Sequence, residues 1–81
     1  MNNVGSVRCS SVVAYQRLLR GWSQRDLVLE VYKLCHEEGE FPGLSEKTVR
    51  RWEQGRCIPS PFYRKRLCQI FQMNAAELGF I

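Results

Sequence analysis

The apolar positions of this chain fall in short runs at helical spacing, punctuated by residues that start or stop helices. Val12, Tyr15, Leu18 and Leu19, followed by Trp22, give a first stripe. Ser10 or Ser11 caps a helix of about Val12 to Arg20, and Gly21 stops it. Ser23 is the next N-cap, and Asp26 three residues on completes an approximate capping box, with Asp in place of Glu. Leu27, Val28, Val31, Leu34 and Cys35 form the inner side of the second helix, which fades around Glu37 ahead of Gly39, Pro42 and Gly43. Phe41, within that loop, is expected to pack back on the core as an anchor.

A third, shorter helix has both ends marked. Ser45 offers a hydroxyl to the orphan N–H groups of the first turn, Glu46 suits the positive end of the helix dipole, and Gly55 can adopt the left-handed conformation that ends a helix. Val49 and Trp52 share one face, while Lys47, Arg50, Arg51 and Gln54 point elsewhere. Ile58 is expected inside. Ser60-Pro61 then opens a fourth helix, about Pro61 to Gln72, with Tyr63, Leu67, Ile70 and Phe71 at core spacing. Asn74 to Glu77 has capping-box spacing and predicts a short fifth helix with Leu78, after which Phe80 and Ile81 close the core. No segment alternates, so no sheet is expected. The fold class is all-α: a bundle of about five short helices, with a flexible arm over 1–10 and one domain over 11–81.

Eighty-one residues make a single domain with a modest core, too small for an elaborate active site. The net charge of +4 is moderate, but its placement is uneven. From Ser45 to Cys68 there are seven basic residues (Lys47, Arg50, Arg51, Arg56, Arg64, Lys65 and Arg66) against Glu46 and Glu53. Glu30, Glu37, Glu38 and Glu40 precede them. That polarity suits a polyanion on one side of the domain, or equally a solvated basic surface. No run is long enough for a membrane span, and the N-terminus has no apolar signal core, so a cytosolic chain is expected.

Catalytic chemistry is thinly represented. Cys9, Cys35, Cys57 and Cys68 contain no Cys-x-x-Cys pair, and the sole histidine, His36, adjoins Cys35 rather than standing at ligand spacing. Free thiols, buried at Cys35 and Cys68, account for them better than zinc or disulfides. A Cys35–His36 nucleophilic dyad is poor, because neighbouring helical residues do not face each other. Gly39 and Gly43 lack the Lys-Ser or Lys-Thr of a phosphate loop. Neither catalysis, a metal nor a cofactor is expected, and a binding module is favoured.

Five short helices with a basic third one make a helix-turn-helix a reasonable reading on physical grounds. The residues Arg20-Gly21-Trp22-Ser23-Gln24-Arg25-Asp26-Leu27, then Ser45-Glu46-Lys47-Thr48-Val49-Arg50-Arg51-Trp52-Glu53-Gln54-Gly55-Arg56, then Pro59 and Leu78, resemble the lambda-repressor-like, xenobiotic-response-element (XRE) family. The likeness covers about Val12 to Leu78. The ending, Pro59-Ser60-Pro61-Phe62-Tyr63 through Ala76-Glu77-Leu78-Gly79-Phe80, is similar to variants in soil-type bacteria, some at the front of larger signalling proteins.

The resemblance implies a double-stranded DNA-binding transcriptional regulator, bacterial and nucleoid-associated. Helices two and three would form the motif. Gln24 would contact a phosphate. Ser45, Glu46 and Lys47 would read base edges or phosphates, with Arg51 one turn later, and Thr48 and Arg50 would flank that surface. Arg56 would meet the backbone, Val49 and Trp52 would be core, and Glu53 and Gly55 would make a structural helix end without base contact. Arg51 is the candidate for a bidentate contact to guanine, and Lys47 for guanine or a phosphate. Glu46 could accept from a cytosine amino group, repel other bases, or simply sit in the first turn. Arg64, Lys65 and Arg66 either add phosphate contacts or form a solvated face.

Between helices two and three the chain departs from the family: roughly ten extra residues, from about Lys33 to Gly43, lengthen the connection. Homodimers are common in the family, with palindromic half-sites, and Phe80 and Ile81 are candidate contacts. The competing reading is a protein-interaction or adaptor module of the same fold, antitoxin-like or followed by a C-terminal effector domain. Glu46 and the acidic loop favour it; the basic charges of helix three favour DNA.

Overall fold

Helix borders follow from local capping chemistry. In the computed structural model, which describes residues 9–81 with side chains from Val12 onward, α1 spans Cys9–Leu19, α2 Gln24–Glu37, α3 Glu46–Glu53 and α4 Pro61–Phe71. The chain is all-helical and compact, and there is no strand among the described residues. Ser23 closes the capping box of α2: its Oγ accepts from Asp26 N–H at 3.0 Å and its own N–H donates to Asp26 Oδ2 at 2.8 Å. At the other end Gly39, with φ of 76°, turns the chain so that Glu40 N–H reaches the Cys35 carbonyl at 2.8 Å. Gly55, also at φ 76°, ends α3 the same way, with Arg56 N–H bonded to the Arg51 carbonyl at 2.9 Å.

α3 packs against both α1 and α2, and α2 packs against α4. Leu27 and Val31 of α2, Val49 of α3 and Leu67 of α4 are completely buried, joined by Val13 and by Leu78 from the C-terminal turn. Each such Val or Leu stabilises the fold by about 1.5–3 kcal/mol relative to an exposed position. Trp52 of α3 lies 5.5 Å from the Tyr63 ring of α4, centroid to centroid, so the two helices meet through aromatic surface.

Several expectations are corrected by this packing. Cys9 is already helical, so Ser10 and Ser11 lie inside α1 rather than capping it. The rest of the expected arm, residues 1–8, lies outside the described residues. The inner face of α1 is Val13 and Arg17, with Val12 and Trp22 partly buried, while Tyr15, Leu18 and Leu19 are exposed. A helix with apolar residues on two sides has no single face that spacing can select. Phe41 is 84 % exposed: Pro42 and Gly43 carry the loop away, and Leu44 enters the core instead. Ile58 and Ile81 are likewise exposed, while Pro59 and Phe80 are buried.

Among the described residues four helices form, not five. The box at Asn74 does close, with Asn74 N–H on Glu77 Oε1 at 2.8 Å and Glu77 N–H on Asn74 Oδ1 at 2.7 Å. Yet Gly79, at φ 82°, ends the turn after Leu78, leaving one capped turn over 74–79. α2 runs for 14 residues, and a loop over 38–45 carries the chain from it to α3. Two contacts pin that loop: Tyr32 Oη donates to the Leu44 carbonyl at 3.1 Å, and Arg66 of α4 reaches Glu38 at 2.6 Å.

Candidate nucleic-acid interface

α3 is held from beneath. Arg17 of α1 donates twice to Glu53, Nε to Oε2 at 2.7 Å and Nη2 to Oε1 at 2.9 Å, and a third donor, Nη1, reaches the Trp22 carbonyl at 2.7 Å. Gln24, the first residue of α2, donates from Nε2 to Glu53 Oε1 at 3.0 Å. Both ionic side chains are about nine-tenths buried, at 10 % and 8 % exposure. The carboxylate is thus consumed inside the molecule and ties α1, α2 and α3 at one point. Gln24 is brought beside α3 through this shared acceptor. Arg17 was not singled out from the sequence, although it is the one charged residue of an otherwise uncharged helix.

The opposite face of α3 is open. Val49 and Trp52 are buried, Thr48 is half-buried, and Glu46, Lys47, Arg50, Arg51 and Gln54 are exposed. Ser45 is exposed too, but its hydroxyl is engaged at the cap: it lies 3.4 Å from Thr48 N–H and 3.4 Å from Thr48 Oγ1. Lys47 and Arg51 are four residues apart, in one row along the exposed side, and Arg50 flanks them. Arg56 follows in the exposed turn. None of Lys47, Arg50, Arg51 and Arg56 is in an ion pair among the described residues, and Glu46 does not neutralise Arg50 one turn on. Gln54, outside the candidate set, extends the Lys47–Arg51 row at its far end.

The bunched cations of α4 separate. Arg66 is buried: its guanidinium lies 3.8 Å from the centroid of the Phe62 ring, donates to the Phe62 carbonyl at 2.9 Å and pairs with Glu38. It does not belong to a solvated or phosphate-binding row. Lys65 remains exposed and Arg64 half-buried.

Two groups titrate away from their ordinary values. Asp26 is held below the usual carboxylate range, first by the Ser23 backbone N–H and then by the Ser23 hydroxyl. The Tyr63 phenol is raised, chiefly by burial and then by its neighbours Cys35 and Tyr32. Neither lies on the exposed face of α3. Cys35 is buried, and the adjacent His36 is exposed. Among the described residues Cys35, Cys57 and Cys68 are free thiols, and no cluster of three or more His, Cys, Asp or Glu is placed to hold a metal. No helix there is long and apolar enough to cross a membrane. Compared with known proteins, the chain matches no protein-family model, no curated protein and no solved structure.

Proposed function

We propose that this domain is a sequence-specific double-stranded DNA binder that regulates transcription, with α2 and α3 as a helix-turn-helix and α3 in the major groove. The observation that carries this reading is the exposed face of α3, where Lys47, Arg50 and Arg51 stand outside any ion pair while one of the two acids of the same helix, Glu53, is consumed by Arg17 and Gln24. Clustering like charges on a helix two turns long costs stability, and a polyanion offsets that cost by releasing its counterions.

In this reading Arg51 donates to guanine O6 and N7, and Lys47 takes guanine or a phosphate. Arg50 and Arg56 meet phosphates on either side. Ser45 and Thr48 keep the first turn of α3 in shape for the groove. Gln24 meets a phosphate beside the helix, with its amide already oriented by Glu53. Glu46 accepts from cytosine or repels other bases. Regulation follows from occupancy or recruitment, without catalysis. A protein-interaction module is the second reading, and the specific observation for it is the 84 % exposed Phe41 in a loop with exposed Glu40, next to exposed Glu37 at the end of α2.

The test is fluorescence anisotropy against a pool of random duplexes at low and near-physiological salt, with sequencing of what is retained. Steep weakening with salt and enrichment of one motif support DNA reading. Salt-sensitive binding without enrichment reduces α3 to a basic surface, and no binding at low salt moves the function to the protein-interaction module.

A further inference from the structure

A groove lies between α2 and α4. It holds a cavity of about 320 Å³, lined by Glu30, Lys33, Leu34 and Glu37 on one side and by Gln69 and Ile70 on the other. Leu34 and Ile70 are half-buried and make an aliphatic floor, while Lys33, Glu37 and Gln69 are exposed at the rim. We propose that this groove docks a basic segment of a partner protein, with the stem of a lysine or arginine along Leu34 and Ile70 and its cationic head at Glu37.

The disposition of the acids selects a cation. The chain has eight Asp and Glu residues. Glu30, Glu38 and Glu53 are in ion pairs, and Asp26 and Glu77 close capping boxes. Glu46 sits in the first turn of α3, where the helix dipole favours it. That leaves Glu37 and Glu40, which make no ion pair among the described residues. Glu37 is the last residue of α2, and Glu40 is held near it by its N–H on the Cys35 carbonyl at 2.8 Å. At this end of a helix the dipole disfavours a carboxylate. Lys33, one turn back, does not answer Glu37, because its ammonium is 2.9 Å from Glu30. Arg66 is committed to Glu38. A cation brought by a partner relieves the misfit.

The floor adds a second requirement. Lysine and arginine lay an aliphatic stem on apolar surface while the charged head stays in water, and Leu34 and Ile70 beside Glu37 match that division. A free alkylamine has the same parts. Small-molecule sites, however, bury roughly 70–90 % of their ligand, and a groove with half its lining residues exposed does not. A peptide covers the rim with its neighbouring residues and carries a second cation towards Glu40. A polyanion is repelled by both carboxylates. No lining residue belongs to α3, so the groove does not compete with DNA for the same side chains.

The experiment is nitrogen–proton correlation NMR on the full chain without DNA. The probe is a capped peptide of alternating lysine and leucine, titrated to near-millimolar concentration. The expected result is saturable shifts confined to the amides of 30–37 and 69–70. A glutamate–leucine peptide of the same length should leave those amides unmoved, and a lysine–glycine peptide should bind more weakly. Glu37→Gln should weaken the lysine–leucine peptide about two- to five-fold, the range of one exposed ion pair. Gln69→Lys, which sets a cation in the groove, should abolish binding. Both positions are exposed, so the spectrum should otherwise keep its folded dispersion. Absent shifts, shifts centred on another surface, or an equal response to the glutamate–leucine peptide overturn the proposal. Butylamine saturating the same amides as tightly as the peptide overturns it in favour of a small-amine site. Movement of those amides when the protein alone is concentrated overturns it in favour of a second copy. Because DNA is absent, failure here leaves DNA reading untouched.

Discussion

Glu53 is the residue on which three helices converge. Its carboxylate accepts from Arg17 and Gln24 in a site about nine-tenths closed to water, so removing one partner strands a charge. Glu53→Ala should lower unfolding free energy by about 3 kcal/mol, measured by urea denaturation. Replacing both ions, as Arg17→Met with Glu53→Leu, should recover much of that loss, because neither buried charge then lacks its counterpart. The cations on the other side of α3 behave oppositely. Lys47 and Arg51 repel across one turn, so Arg51→Ala should leave stability unchanged or raise it by a few tenths of a kcal/mol. The same substitution should weaken duplex binding and relax preference at one base pair, read by anisotropy on the enriched motif and its single-base variants.

At the scale of elements, caps and clamps set where each helix stops and how the connections lie. Ser23→Ala should cost about 1 kcal/mol in thermal or chemical unfolding, because the α2 N-cap loses its acceptor. Asp26 sets the acid limb of the same cap. Its carboxyl is lower in the folded than in the unfolded chain, where it titrates near about 3.9. Its contribution is therefore complete above that value and is lost as pH falls through the folded one. Thermal melts taken from neutral pH down to pH ~3 should show a smaller drop for Asp26→Asn than for the natural chain. The loop over 38–45 depends on Glu38: Glu38→Gln removes the charge that Arg66 is buried against. Amide hydrogen exchange through the loop should accelerate while the α3 amides keep their protection.

At the scale of the whole molecule, α4 is joined to α3 through Tyr63, which lies between Trp52 and Phe62. Burial raises its phenol above the ordinary value of about 10. Folding thus favours the protonated form: the stability Tyr63 confers is complete below that value and is lost as pH rises through the higher folded one. Melts from neutral pH to pH ~11 should show an alkaline decline that Tyr63→Phe reduces. Charge is likewise a property of the assembled molecule. The net charge is +4, and the three ion pairs formed among the described residues each remove one cation and one anion from play. The exposed cations that remain on and just after α3 form the basic side.

Local chemistry made much of this protein legible without tertiary information. Ser23 with Asp26, Ser45 and Gly55 fix helix borders through hydrogen bonds that span a few residues, and Pro61 opens α4 through its fixed φ at the first helical position, so spacing alone finds them. Val49 and Trp52 could be placed inside because the other positions of α3 are mostly polar, leaving one face to bury. α1 had no such contrast. Val13 and Arg17 share two turns of helix with Tyr15, Leu18 and Leu19, and the core around Val13 together with the carboxylate of Glu53, 36 residues from Arg17, decides which side turns inward. Arg66 is the same kind of case: among three consecutive cations, position along the chain does not say which will find Glu38 and the Phe62 ring. Helix ends are settled by neighbours in sequence, whereas the partners of buried charges and the choice between two apolar faces are settled by groups that meet only when the chain has folded.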